Sequence, residues 1–145
     1  MSRWFRPSWL FGRPDVVVDF EFEAGALYLA VTNHGTRSAH DVSTRFDPTF
    51  HDGDGREVPA LHLFDRLGFL PPGKTIRTFV DPFEAYVRRG EPTVVESTVR
   101  FHGRGGRRFE SAATHNLGIY QDLVYSVDDN DRASISEGRR YHRPE

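Results

Sequence analysis

Residues 16 to 32 carry the pattern that most limits how this chain can fold. In Val16-Val-Val-Asp-Phe-Glu-Phe-Glu23 the odd-even alternation puts Val16, Val18, Phe20 and Phe22 on one face of an extended strand and Asp19, Glu21 and Glu23 on the other. After an Ala24-Gly25 turn, Ala26 to Thr32 repeats the alternation with Leu27, Leu29 and Val31 inward. Two such runs joined by a tight turn predict a β-hairpin with one buried face. A hairpin cannot bury that face alone, so more strands must follow.

They do. Ala39 to Phe46 aligns Val42, Thr44 and Phe46 before Asp47-Pro48 stops it, because proline cannot donate to a ladder. Pro48 to Pro59, with His51-Asp-Gly-Asp-Gly55, predicts an exposed loop. Leu61 to Leu70 is apolar but irregular, and predicts a short strand bent at Gly68 that inserts Phe64, Phe69 and Leu70 into the core. Pro71-Pro72-Gly73 is a turn, and Thr75 to Val80 aligns Ile76, Thr78 and Val80. Asp81-Pro-Phe-Glu84 has the form of a capped helix start and Gly90 of its stop. Thr93 to His102 sends Val95, Ser97, Val99 and Phe101 inward, and Gly103 to Gly106 turns the chain into a last strand bearing Phe109. The expectation is an all-β, antiparallel sandwich of about seven strands with one short helix, closing near Tyr125. Leu29, Val31, Val42, Val99 and Phe101 should be among its most buried residues.

At 145 residues one core suffices, burying roughly two thirds of the unfolded surface. Residues 1–14 form an arm before the first strand. Residues 126–145 hold one isolated Ile and many charges, too little apolar surface to offset the entropy of ordering, and read as a disordered tail. No internal repeat or linker divides residues 15–125.

Val31-Thr-Asn-His-Gly35, Ala39-His-Asp-Val42, Phe69-Leu-Pro-Pro-Gly-Lys74 and Tyr120-Gln-Asp-Leu123 together resemble segments of immunoglobulin-like β-sandwich domains found in uncharacterised bacterial proteins. The resemblance spans roughly residues 15 to 125. It implies an immunoglobulin-like arrangement of the strands, in a group whose globular domain usually follows membrane helices. The group has no established activity to carry over. This chain departs from it, since its first fourteen residues are too few to span a bilayer.

Composition narrows function mainly by exclusion. A formal charge of -2 gives no global attraction to nucleic acid or anionic membranes, so no nucleic-acid partner is expected. Lys74 is the only lysine among 19 basic residues, which a GC-rich genome explains more simply than phosphate recognition by arginine. Without cysteine there is neither disulfide, thiolate catalysis nor Cys-ligated zinc. The longest apolar runs are far shorter than the ~20 residues of a membrane span, and no secretory leader is evident. A soluble cytoplasmic chain is expected, with the membrane surface as the alternative location.

Residues that could carry chemistry have simpler readings. The histidines at 34, 40, 51, 62, 102, 115 and 142 show no helical i, i+4 pair, and His40 and Asp41 should face opposite sides of a strand. Asp52-Gly-Asp-Gly55 begins like a calcium loop, but the glutamate such a loop needs at its end is missing, leaving a turn. No serine lies in a nucleophile elbow. Asp19 and Glu21 share a strand face that reads as solvated. Arg100, Arg104, Arg107 and Arg108 gather on one hairpin near Phe101 and Phe109, whose alternation points them to the core. No catalytic, cofactor or metal residue is assigned.

The arm is the least ordinary segment. Trp4, Phe5, Trp9, Leu10 and Phe11 alternate with Arg3, Arg6 and Arg13, and both tryptophans of the protein are here. Such side chains are enriched at interface hot spots and at membrane boundaries, because each joins an apolar body to a polar tip. The expected function is therefore a non-catalytic protein-interaction or structural accessory module. It would dock through Trp4, Phe5, Trp9, Leu10 and Phe11 onto a partner protein or a second copy. The alternative is a peripheral membrane-associated domain anchored by the same arm.

Overall fold

The structure, a computed structural model, describes residues 12–123. Seven strands form two antiparallel sheets. β1 (Val16–Glu23), β2 (Ala26–Asn33) and β5 (Thr75–Pro82) make one, in the order β1-β2-β5. β3 (Ala39–Asp47), β4 (Leu67–Leu70), β6 (Val94–His102) and β7 (Arg108–Asn116) make the other, in the order β4-β3-β6-β7. The chain changes sheet after β2, β4 and β5, so both sheets are closed by the same cross-connections. The β1–β2 turn uses positive φ at Ala24 (52°) and Gly25 (79°), the backbone twist a two-residue hairpin needs.

The alternation predicted from sequence holds at the register level. Phe20 pairs with Leu29 and Val18 with Val31 on the inner face, while Glu21 lies opposite Tyr28 outside. Leu29, Val31, Val42, Val99 and Phe101 are 0 to 3% exposed, as expected of the core centre. Aromatic rings interlock among the aliphatic side chains of this core. Phe20 lies 5.4 Å from Phe50, and Phe46 meets both Phe50 and Phe64 edge-on.

Three local expectations change. The stretch read as one bent strand begins instead with a helical turn, α1 (His62–Asp65), and only Leu67–Leu70 is extended. Phe64 and Leu70 are buried as expected, but Phe69 is 52% exposed, because alternation in β4 turns it outward onto His40, 5.3 Å away. Second, the Pro48–Pro59 loop is not simply exposed: Phe50, Asp52 and Val58 are buried, and His51 and Glu57 form a bridge. Third, the expected helix forms as α2 (Phe83–Arg88), yet Asp81 does not cap it. The Asp81 carboxylate instead accepts hydrogen bonds from Arg89 at 2.7 and 3.2 Å. Gly90, at φ 76°, ends the helix as predicted.

Candidate functional site

The proposed docking residues Trp4, Phe5, Trp9, Leu10 and Phe11 lie outside the described residues, as do residues 124–125 and the expected tail, residues 126–145. What the structure does describe is the root of the arm. Residues 12–15 run between the β2–β3 turn and the β6–β7 hairpin. The Thr36 N–H donates to the Arg13 carbonyl (3.0 Å) and the His34 N–H to that of Asp15 (2.8 Å). Pro14 is buried. Gly35 and Gly103 make room for it: a Cβ at Gly35 would collide with the Arg13 carbonyl oxygen, and one at Gly103 would lie 3.2 Å from the Pro14 ring.

One side chain ties these segments together. Asn33, 0% exposed, accepts at Oδ1 from the N–H groups of Asp15 (3.1 Å) and Gly35 (2.9 Å). Its Nδ2 donates to the carbonyls of Arg37 (2.8 Å) and Leu70 (3.0 Å). The Asn-x-Gly element noticed in the sequence is thus a four-way fastener. Beside it, the guanidinium groups of Arg13 and Arg107 approach the Phe109 ring at 5.9 and 5.4 Å, while that ring stacks on Phe101 at 5.5 Å.

The outer face of the four-stranded sheet carries a shallow groove of about 600 Å³, lined by Asp41, Ser43, Arg100, His102, Arg108 and Glu110 among others. The register aligns Phe69, His40, His102 and Arg108 across all four strands. A bulge in β3, with Asp41 at φ 49°, breaks the strict alternation, so His40 and Asp41 are both exposed rather than on opposite faces. Two ion pairs engage most of the groove's charge: Arg100 binds Glu110 (2.8 Å) and Asp41 meets Arg66 (3.4 Å). Among the described residues no group of three or more His, Asp or Glu could hold a metal.

The sequence did not reveal one polar trio that the fold assembles. Ser97 Oγ lies 2.8 Å from His115 Nε2, and His115 Nδ1 lies 3.6 Å from Asp19 Oδ1. The order hydroxyl, imidazole, carboxylate is that of acyl-transfer enzymes. Access decides its role: Ser97 is 2% and His115 9% exposed, with Phe20 edge-on to the imidazole at 5.2 Å. No substrate carbonyl can reach that hydroxyl. The trio instead joins the edges of the two sheets, β1 through Asp19 and β7 through His115. A single sequence offers no signal for it, since the three residues are far apart in the chain.

Burial pulls the His115 pKa below its ordinary 6.5, while the Asp19 carboxylate opposes the shift. The unfolded chain therefore takes up this proton before the folded one does. Stability should be complete above pH 6.5 and decline as pH falls below it, levelling once folded His115 also protonates. Melting curves of wild type and H115Q between about pH 7.5 and 5.5, one unit either side of the ordinary histidine value of 6.5, should diverge, the variant being flatter. Parallel curves would contradict this.

At the other end of the sandwich, two buried carboxylates are held by arginines. Asp52 Oδ1 accepts from the N–H groups of Asp54 (3.0 Å) and Arg56 (2.9 Å), and Oδ2 from Arg56 Nε (2.8 Å), so the suspected turn is a closed Asx turn. Burial works to raise the Asp52 pKa, but the bonds from Arg56 and Asp54 outweigh it and hold it below the usual 3.8. Glu91 accepts from the His51 N–H at 2.7 Å.

Among the described residues these features define an all-β sandwich with a sealed hydroxyl–imidazole–carboxylate trio and two arginine-held carboxylates, Asp52 and Asp81. The chain belongs to the family described as "Domain of unknown function (DUF8453)", whose profile matches residues 12–121. No curated protein matches it. A crystal structure of a Bordetella pertussis protein provisionally assigned as ApaA is similar at 17% identity, covering 72% of this chain and 94% of that one with a TM-score of 0.38.

Proposed function

We propose that this chain is a non-catalytic interaction module that docks through its N-terminal arm onto a protein partner. The observation that carries the reading is the clamp at the arm root. Buried Pro14, the backbone bonds from Thr36 and His34, and the Asn33 fastener hold residues 12–15 in one position. A fixed root ties the segment that contains Trp4, Phe5, Trp9, Leu10 and Phe11 to one end of the sandwich. Sandwiches commonly display such contacts at one end, on loops held by the sheets. The sheet orders β1-β2-β5 and β4-β3-β6-β7, with their three changes of sheet, support an immunoglobulin-like reading of the fold.

A second reading is a peripheral membrane domain. Specific support for it is the set of exposed arginines around the arm root, Arg13, Arg37, Arg104 and Arg107. Among the described residues no helix is long and apolar enough to cross a membrane, so attachment would be at the surface.

Replacing Trp4 and Trp9 together by alanine should remove about 2 to 4 kcal/mol of docking energy and leave the melting temperature nearly unchanged. Sedimentation and affinity capture, run beside thermal unfolding, check both halves. A drop of about ten degrees or more would mean that the arm covers the domain's own core instead.

A further inference from the structure

We propose that the end face surrounding the arm root is a binding surface for anionic lipid headgroups. The inference rests on the membrane reading above and specifies which part of the folded domain takes part. Four segments make this end: residues 12–15, 33–38, 71–74 and 103–108. They are bound to one another through Thr36 N–H to Arg13 O (3.0 Å), Asn33 N–H to Lys74 O (3.0 Å), Gly73 N–H to Asn33 O (2.7 Å) and Gly103 N–H to Arg107 O (2.7 Å). They carry Arg13, Arg37, Lys74, Arg104, Arg107 and Arg108, all exposed, against the single carboxylate of Asp15. The protein's only lysine is among them.

The opposite end has the reverse balance. Its segments, 48–57, 83–93 and 117–123, hold Asp52, Asp54, Glu57, Glu84, Glu91 and Asp122 against Arg56, Arg88 and Arg89. A chain with a formal charge of -2 has thus segregated its charge along the strand axis. Attraction to an anionic leaflet fades over a Debye length of about 8–10 Å. Cations gathered on one end therefore act together when that end faces the surface.

Two other partners fit less well. Single-stranded nucleic acid is held by bases stacking on open aromatic faces, but Phe109 has Phe101 on it and two guanidinium groups beside it. A second copy joined basic end to acidic end makes a heterologous contact, not the self-complementary two-fold interface of the commonest dimers. The residues immediately before this end, with Trp4, Phe5, Trp9, Leu10 and Phe11 among Arg3 and Arg6, have the composition favoured at the headgroup level.

The full chain is tested by co-sedimentation with vesicles of phosphatidylcholine alone and with added phosphatidylglycerol. Wild type should partition onto the anionic vesicles and be released by salt. R104E/R107E should lose at least about tenfold in partitioning, whereas R88E, an exposed reversal at the other end, should not. If R104E/R107E melts earlier than wild type, R104Q/R108Q replaces it, leaving Arg107 beside Phe109. Equal binding of the R104E/R107E variant and wild type to both vesicle types overturns the inference but leaves arm-mediated attachment standing. Failure to bind any vesicle removes the membrane reading itself. Charge-dependent binding to a DNA oligonucleotide, with none to vesicles, overturns the inference in favour of nucleic acid.

Discussion

Replacing Asn33 by aspartate is expected to destabilise the domain by about 3 kcal/mol or more, enough to lower the melting temperature by about 10 °C. The substitution keeps the Oδ1 acceptor for Asp15 and Gly35 but deletes both donors, leaving the Arg37 and Leu70 carbonyls facing a carboxylate oxygen. With Asn33 0% exposed, water cannot replace them cheaply. The damage should concentrate at the arm root, because three of the four bonds secure Asp15, Gly35 and Arg37. Thermal unfolding checks the magnitude, and amide exchange near residues 13–16 and 33–37 checks the location. A variant melting within about 2 °C of wild type would show that Asn33 is not the fastener.

The second large effect lies at the opposite end. Arg89 donates to Asp81 twice and also to the His51 carbonyl (3.2 Å), while its other nitrogen meets Glu91 (3.4 Å). Asp81 is 5% exposed. Arg89→Met strands that carboxylate and should cost about 3–5 kcal/mol. Neutralising it as well, in D81N/R89M, should recover part of the loss, because the penalty comes from an unpaired buried charge rather than from the missing pair. Denaturant unfolding of wild type, both single variants and the double variant gives the coupling. A double variant less stable than R89M would refute this account. Nearby, burial and the Glu91 charge push the Tyr86 hydroxyl pKa up, against Arg89. It stays protonated and donates to the Pro92 carbonyl at 2.6 Å.

The strands were legible because their signal is local: an inward face at Val16, Val18 and Phe20 is written in steps of two along the chain. The errors fall where a specific side-chain partner or a backbone irregularity overrides local preference. Asp81 has the sequence position of a helix cap, but an arginine eight residues on claims it. Asp52 lies in a run of turn formers, yet Arg56 lets it be buried. His40 and Asp41 alternate in principle, and a bulge against β6 undoes that. Ser97, His115 and Asp19 meet only because β1 and β7 lie at the same side of the sandwich. The basic end was equally hidden, since its cations come from four separate segments. Only the Arg104, Arg107 and Arg108 group was visible in the chain as read.

The chain enters the described domain at Gly12 on one pole and leaves it at Leu123 on the other. There, Tyr120 stacks on Phe22 at 5.1 Å, and its hydroxyl donates to the Phe20 carbonyl at 3.3 Å. An eight-residue strand such as β1 separates the poles by about 27 Å. A pull between these points runs along the strand direction. It loads the eight Cα pairs of the β1–β2 ladder in shear, all at once, instead of peeling them apart singly. A load applied between Gly12 and Leu123 would therefore meet the whole β1–β2 ladder together.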